Sequence, residues 1–137
     1  MARVTLVFDS WAILAFLQDE PAAAEVEGLL AACAEGTAAG YMTVVNLGEI
    51  WYTIARRVSP EVADGHVNSL QDFGLSIVDA DWPFTHDAAA IKARHRLSYA
   101  DAFAAALAKR LNAQLVTADP EFKALEKEVR IHWLPMR

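Results

Sequence analysis

Four acidic residues in distant parts of the chain, Asp9, Glu49, Asp101 and Asp119, are the strongest candidates for chemistry. Two carboxylates held about 4 Å apart repel by about 4 kcal/mol at an effective dielectric near 20. A cluster of them therefore needs protons or a cation. Oxygen ligands without a nearby histidine or cysteine favour Mg²⁺ or Mn²⁺ over Zn²⁺, and an open coordination shell leaves room for water and a phosphate oxygen. The four acids together predict phosphodiester chemistry.

Each acid taken singly also fits a cap at a helix N-terminus. Asp9 and Asp119 directly precede predicted helices, and Ser98-x-x-Asp101 and Asn46-x-x-Glu49 have the spacing of capping boxes. A cap contributes about 0.5 to 2 kcal/mol, less than the repulsion within a cluster of carboxylates. For any one acid the two interpretations are equally compatible with the sequence, and the metal site is favoured only when all four are considered jointly.

Short runs rich in β-branched and aromatic residues alternate with longer stretches of helical periodicity. The runs predict strands over residues 4–8, 41–45, 75–78, 114–117 and 130–134. The stretches between them predict helices over 11–17, 22–35, 47–58, 60–73, 83–96, 99–112 and 120–127. This alternation favours an α/β fold with a mostly parallel sheet, because a parallel neighbour is reached only by a crossover over one face.

The predicted sheet would bring the acids together. Asp9, Glu49 and Asp119 each stand near the junction of a strand with the following helix, Glu49 in the first turn of its helix. In a parallel sheet these junctions share one edge, where open α/β sheets form their binding crevices. Asp101 instead enters from the start of the helix 99–112, so its place beside the others is inferred from the apolar face of that helix.

Composition and charge limit the possible classes of protein. The chain of 137 residues fits one domain, 1–137, since single cores commonly run from about 100 to 150 residues. Its hydrophobic fraction of 55% exceeds the usual value of about 45 to 50% and suggests a buried partner surface. The net charge of -6 argues against a non-specific nucleic-acid binder. Apolar runs shorter than the about 18 residues needed to cross a bilayer, and a start that leads straight into a strand, predict a cytoplasmic protein without a membrane segment.

Other common catalytic patterns are missing from the sequence. It contains no Gly-rich phosphate loop, no G-x-S-x-G elbow and no Cys-x-x-Cys pair, and Cys33 is the only cysteine. The four histidines lack the paired spacing of zinc hydrolases, and we interpret them, like Cys33, as structural: His66, His86, His95 and His132.

The segment SYADAFAAALAKRLNAQLVTADPEF, in which Asp101 opens an Ala-rich helix and Thr117-x-Asp119 follows the next strand, resembles the PIN-domain family and, within it, the VapC-like toxins of bacterial toxin–antitoxin pairs. VFDSWAILAFLQDEP and VVNLGEIWYTIARR agree with the same pattern, and the resemblance extends from residue 4 to about residue 133. Trp11 departs from the small residue that most relatives carry after the Asp-Ser pair, so the rim of the site could differ here.

The resemblance implies a PIN-like three-layer α/β/α sandwich with a central, mostly parallel five-stranded sheet, and a Mg²⁺-dependent endoribonuclease that leaves a 5′-phosphate and a 3′-hydroxyl. Asp9 and Asp101 would be the principal metal ligands, Glu49 a ligand or water-holding acid, and Asp119 the outer fourth carboxylate. One or two Mg²⁺ ions (Mn²⁺ is an alternative) would bridge them and activate a water. Ser10 and Thr117 would support these ligands by hydrogen bonds.

The resemblance also implies partners. These are an RNA substrate, a homodimer, and an antitoxin whose C-terminal segment covers the acidic pocket. With part of the acidic charge masked by metal, RNA could approach a set of basic residues along the helices: Arg56, Arg57, Lys92, Arg94 and Arg96. Lys109 and Arg110 lie near a predicted helix C-terminus, where the helix dipole favours cations without any ligand, and are left out of the site.

Two alternatives remain open from the sequence. A receiver-type phospho-acceptor domain also gathers acids at the carboxyl edge of a parallel sheet, but it needs an acidic pair after the first strand and a lysine after the last. Here Asp9 is followed by Ser10, and the last strand has no lysine. A PIN-fold interaction module that has lost catalysis is the second alternative, against which the complete set of four acids is the only sequence argument.

Overall fold

The fold is built around a sheet of five strands. The computed structural model describes residues 3–136. The strands run in the order β3-β2-β1-β4-β5, and each pairing is parallel. Their bounds are β1 (Val4–Phe8), β2 (Ala38–Thr43), β3 (Leu75–Val78), β4 (Gln114–Thr117) and β5 (Arg130–Trp133). The predicted α/β class and five-stranded sheet are confirmed.

Six α-helices cover the two faces of the sheet in the described part of the chain: α1 (Ser10–Leu17), α2 (Ala23–Glu35), α3 (Val44–Arg57), α4 (Pro60–Leu70), α5 (Trp82–Arg94) and α6 (Tyr99–Leu111). Buried side chains from α1 to α4 form one core cluster, and those from α5 and α6 form the other. In β1, Leu6 and Phe8 face the first cluster while Val7 faces the second. A strand buried on both faces has a nearly continuous apolar sequence, which explains the residues of β1. The two core clusters, one on each face of the sheet, confirm the three-layer arrangement.

Helix α2 packs against β2 at an unusually close point. A Cβ added to Gly40 of β2 would lie 2.6 Å from the Sγ of Cys33 in α2. Only glycine therefore lets the two elements approach this closely. Cys33 is buried at this contact, as predicted. None of the helices within residues 3–136 has the length and apolarity to span a membrane.

Several predicted boundaries are wrong. The second strand is Ala38–Thr43 rather than 41–45, because Val44 and Val45 already belong to α3, whose N-cap is Thr43. The predicted helix 60–73 ends at Leu70, and a 3-10 turn over Gln71–Phe73 follows it. Residues Pro120–Leu125 form a 3-10 turn instead of the α-helix predicted over 120–127.

Candidate metal and active site

A cleft of about 390 Å³ opens at the carboxyl edge of the sheet. Residues of α1 and α3 line it, together with residues at the start of α6 and in the segment after β4. The lining residues are Ser10, Trp11, Leu14, Glu49, Thr53, Arg57, Ser98, Asp101, Asp119 and Glu121. Three of the four predicted acids thus line the cleft directly.

Asp9, the fourth predicted acid, lies beneath this surface with 1% of its area exposed. It is the N-cap of α1, and its Oδ1 accepts a hydrogen bond from the backbone N–H of Ala12 at 2.8 Å. Its Oδ2 accepts from the hydroxyl of Thr117, at the end of the neighbouring strand β4. The backbone N–H of Asp119 donates to the same hydroxyl at 3.0 Å. The Thr117 hydroxyl therefore connects the carboxylate of Asp9 to the backbone of Asp119.

Asp101 and Asp119 form a tight acidic group with a third residue, Glu121. One carboxylate oxygen from each lies within 4.8 Å of the others. Asp101 stands in the first turn of α6, where its backbone N–H donates to the Ser98 hydroxyl at 3.1 Å. The Oδ1 of Asp119 accepts from the backbone N–H of Glu121 at 2.9 Å. Three oxygens at this spacing suit a hard divalent cation.

Burial and mutual repulsion disfavour ionisation at the centre of the site. Desolvation raises the pKa of Asp9 to about 7, against hydrogen bonds from Thr117 and Ala12 that lower it. Desolvation likewise raises the pKa of Asp101 to about 7, and the charge of Asp119 contributes next. Both groups thus carry an unfavourable charge that a cation would relieve. Strongly raised carboxyl pKa values in a cleft are typical of functional sites.

Glu49 lies farther along α3 than the sequence suggested. It is in the second turn of the helix, not the first, because α3 begins at Val44 rather than near Leu47. Its side chain lines the cleft half-buried, and its charge adds to the rise in the pKa of Asp101. The Tyr52 hydroxyl lies 3.5 Å from its Oε2. Glu49 thus faces the acidic group without belonging to the three residues that converge on one point.

The predicted capping pair Asn46-x-x-Glu49 does not form, since Thr43 caps α3 and accepts from the Asn46 N–H at 2.9 Å. Asn46 is instead fully buried, and its Nδ2 donates to the Ser10 hydroxyl at 3.0 Å and to the Ala100 carbonyl at 3.2 Å. This side chain connects α1, α3 and the first turn of α6, beside Asp101. Buried polar groups of this kind specify one arrangement of the elements that they join.

Two functional features were missed at the sequence level. The spacing of Asn46 from Glu49 predicts a cap, whereas its role in joining three helices depends on contacts with residues as far as 54 positions away. Glu121 is not among the predicted acids, although the pattern Asp119-Pro120-Glu121 carries a usable signal. Glu121 is an acid two residues after a candidate ligand, at the start of a turn that begins with proline. Such a turn keeps both side chains at the same edge of the sheet.

Of the five basic residues considered for RNA, only Arg57 lines the cleft. Arg94 lies 3.2 Å from Glu128, and the ammonium group of Lys92 donates to the Leu97 carbonyl at 3.0 Å. Arg56 lies over the Tyr52 ring at 5.1 Å from its centroid. The ring nitrogens of His95 and His132 bond Glu128 and Glu25, away from the acidic group.

Comparison with known proteins supports the same fold. Among curated proteins no significant match is found, whereas many solved structures match. VapBC2 from Rickettsia felis, bound to a DNA fragment from its promoter, has a TM-score of 0.75 at 16% identity, covering 96% of this chain and 100% of that chain. DNA-bound VapBC from Salmonella typhimurium has a TM-score of 0.72 at 18% identity, covering 94% and 97%. Identities this low demonstrate the fold alone.

A third structure is VapC20 from Mycobacterium tuberculosis, described as a toxin that cleaves the sarcin-ricin loop. Its TM-score is 0.68 at 16% identity, with 87% of this chain and 93% of that chain covered. The PIN domain family itself matches residues 6–128, a stretch that includes all the acids described above. By this match over most of its length, the chain belongs to the PIN-domain family.

Proposed function

We propose that this protein is a Mg²⁺-dependent endoribonuclease and the toxin of a toxin–antitoxin pair, with residues 1–137 as one PIN domain. The observation that carries the proposal is the acidic group at the carboxyl edge of the sheet. Asp101, Asp119 and Glu121 converge within 4.8 Å, and burial has raised the pKa of Asp9 and Asp101 to about 7. A fold has no need of mutually repelling carboxylates in one cleft, but a site for a divalent cation does.

The residues present fit a hard cation. All donors in the acidic group are carboxylate oxygens, and neither histidine nor cysteine lines the described cleft. Asp101 and Asp119 would hold Mg²⁺, or Mn²⁺, with Glu121 beside them and Asp9 from below. When bound, such an ion lowers the pKa of a coordinated water and neutralises charge on the attacked phosphate.

The chain's own groups prepare this site. The hydrogen bonds from Thr117 and Ala12 hold the Asp9 carboxylate in one orientation and favour its ionised form. Glu49, which lines the same cleft, would accept a hydrogen bond from a water near the phosphate. The Asn46 side chain joins α3 to the first turn of α6 by donating to the Ala100 carbonyl, and this contact would hold Glu49 in place relative to Asp101. These contacts would maintain the geometry through the reaction.

The partners follow from the same proposal. The solved relatives from Rickettsia felis and Salmonella typhimurium are VapBC complexes, and we propose an antitoxin for this chain as well, together with a homodimer in the cytoplasm. Several large apolar side chains are exposed and would be covered by such partners. They include Val58, Val62, Trp82, Tyr99 and Met136, with Trp82 at 69% exposure.

Incubation of the purified protein with total RNA tests the proposal. Cleavage with Mg²⁺, its loss in chelator, and 5′-phosphate ends on the products are the expected results. Asp101→Asn should reduce cleavage by about 100-fold or more, because even groups that only support a metal ligand contribute about 10- to 100-fold. Its amide leaves the first turn of α6 intact. Glu128→Gln, remote from the cleft, is the matched control.

Two results would contradict the proposal. Equal cleavage by wild-type protein and Asp101→Asn would remove this residue from the chemistry. An absence of both cleavage and Mg²⁺ binding, the latter measured by calorimetry, would favour the interaction module instead. The receiver-type alternative has lost its support, since the chain belongs to a different family.

A further inference from the structure

The wall of the cleft formed by α1 and α3 has a different chemistry from the group of Asp101, Asp119 and Glu121. Besides Ser10 and a single acid, Glu49, it presents Trp11 and Leu14 of α1 and Thr53 and Arg57 of α3. We propose that this wall binds one unpaired nucleotide of the RNA next to the cleaved phosphate, with the Trp11 ring stacked on the base and Arg57 on a backbone phosphate. The inference rests on the proposed function and specifies its substrate as single-stranded at this position.

Trp11 has the surroundings of a ring that is held on one side only. It is half-buried, packs against the core cluster beneath α1, and lines the cleft with its remaining surface. Within residues 3–136 its indole N–H has no hydrogen-bond partner, whereas Trp51 and Trp133 donate to Asp64 and Glu126. No other aromatic ring of the described residues stacks against it. An aromatic ring that packs on the core and also lines a cleft can provide a stacking surface for a base.

Arg57 supplies a positive charge to the cleft. Among the described residues that line the cleft it is the sole cation. Its Nη1 donates to the Oε1 of Gln18 at 2.8 Å, a neutral partner that orients the guanidinium without cancelling its charge. By contrast, Arg94 and Arg110 are paired with Glu128 and Asp87. An oriented arginine with its charge uncompensated suits a phosphate, which it can bind through two parallel N–H groups.

The dimensions of the cleft favour an unpaired nucleotide. Its volume of about 390 Å³ lies near the lower end of the range of small-ligand pockets, about 300 to 1,000 Å³. A base can face the Trp11 ring only after it has left its helical stack, as in single-stranded loops, where proteins commonly read RNA by stacking. The position of Trp11, directly after Asp9 and Ser10, keeps the stacked nucleotide close to the acidic group.

Binding to a short single-stranded oligoribonucleotide tests the proposal apart from cleavage. It is measured by fluorescence anisotropy in the Asp101→Asn background, with Mg²⁺ present. Trp11→Ala and Arg57→Gln should each weaken binding by about 10-fold, since one base stack or one phosphate contact contributes about this much. Trp11→Phe keeps an aromatic face and should restore most of the loss. The same sequence as a duplex should bind about 10-fold more weakly to the parent protein.

Matched controls separate the subsite from general effects. Trp51→Ala removes an indole outside the cleft, one that bonds Asp64, and Arg3→Gln removes one positive charge before β1, at the opposite edge of the sheet. Both should change binding less than about 2-fold. A melting curve establishes that Trp11→Ala is folded; if it is not, the Trp11→Phe and Arg57→Gln pair decides the proposal.

The outcomes distinguish this proposal from the nuclease proposal. Unchanged binding in folded Trp11→Ala and in Arg57→Gln overturns the subsite, even if the wild-type protein cleaves RNA. Weakened binding in both variants supports the subsite even if no cleavage is found, in which case only the proposed function fails. In an active protein the two variants should raise KM for single-stranded RNA by the same factor while the pH profile stays unchanged.

Discussion

Asp101 and Glu128 are acidic residues on the face of the sheet that α5 and α6 cover, but their surroundings shift their pKa values in opposite directions. Glu128 lies within 3.3 Å of nitrogen atoms of Arg94, His95 and Lys109. Desolvation raises the pKa of Glu128, but hydrogen bonds from Arg94, Lys109 and His95 outweigh it and the pKa is lowered. The pKa of Asp101 is raised to about 7 by burial and by its acidic neighbours.

The difference separates an acid that the fold neutralises from one that it leaves uncompensated. The partners of Glu128 are on the chain, so this group is complete without any ligand. At Asp101 the charged groups that shift the pKa most are acids, and no ion pair of the kind formed by Glu128 lowers it in the part of the chain that the structure describes. A metal site is therefore expected around Asp101 and not around Glu128. Composition alone would not distinguish the two regions, since both contain acidic residues.

After the loss of the Asp101 charge itself, removing the support of Asp9 should give the largest effect. Thr117→Val keeps the shape of the side chain but removes the hydroxyl that donates to Asp9. Because that hydrogen bond lowers the pKa of Asp9, its loss should raise the pKa further and shift the pH profile of cleavage upward. Cleavage near neutral pH should fall by about 10- to 100-fold, as for other groups that support metal ligands.

The control is Thr37→Val, which removes a hydroxyl that bonds the Ala32 carbonyl before β2, far from the cleft. It should leave both the rate and the pH profile unchanged. A Thr117→Val protein with the wild-type pH profile would show that Asp9 does not need this contact.

Asp9 and Asp101 should make the free energy of unfolding fall as pH rises, whereas Glu128 should make it rise. The pKa of Asp9 and Asp101 is near 7 in the folded state and about 4 in the unfolded state. Between these values the folded protein binds more protons, so their contribution to the free energy of unfolding decreases as pH rises from about 4 to about 7. Mg²⁺ should offset this loss, raising the melting temperature by about 3 °C or more at pH 8 and by less at pH 5.

Asp101→Asn isolates the effect from other titrating groups. In chelator its melting temperature should exceed that of the wild-type protein at pH 8, because an uncompensated charge is removed, and the difference should be smaller at pH 5, closer to the unfolded pKa of about 4, below which it disappears. Differential scanning calorimetry at both pH values makes the comparison. An equal effect of Mg²⁺ on the wild-type protein at both would contradict the expected coupling between protonation and metal.

Glu128→Gln should give the smallest effect. Its partners Arg94 and Lys109 have side chains that are 52% and 43% exposed, so solvent screens these ion pairs. The free energy of unfolding should fall by less than about 1 kcal/mol, and this loss should appear above the unfolded pKa of Glu128 and vanish in acid. Urea denaturation at pH 7 and pH 3 measures it. A larger loss, or any change in RNA cleavage, would mean that the two regions are coupled.

The sequence predicted the sheet well because its strands leave a strong pattern. β1 and β4 are apolar on both faces, and each is followed by an acid and a helix or turn, so their ends could be located. The second strand was misplaced because Ala38, Ala39 and Gly40 have weak strand propensity, whereas Val44 and Val45 have strong propensity but are helical. The Thr43 cap decided that boundary.

The site was only partly predictable for a different reason. Asp9 and Asp119 follow strands β1 and β4, so topology assigns both to one edge and their proximity follows from the order of the elements. Asp101 follows no strand, and its place beside them was inferred only from the apolar face of its helix. The contacts of Asn46 and the convergence of Glu121 depend on side-chain geometry between distant segments. Local spacing carries no information on such contacts, and it also misplaced Glu49 by half a turn or more when the start of α3 was set too late.

The hydrogen bond between Thr117 and Asp9 joins positions 108 residues apart. During translation, at about 5 to 20 residues per second, the first of them precedes the second by roughly 5 to 20 s. Over that interval the nascent polypeptide has β1 but not the strand that pairs beside it and orients the buried carboxylate. The carboxylate site on which the proposed nuclease activity depends is therefore incomplete until synthesis is nearly finished.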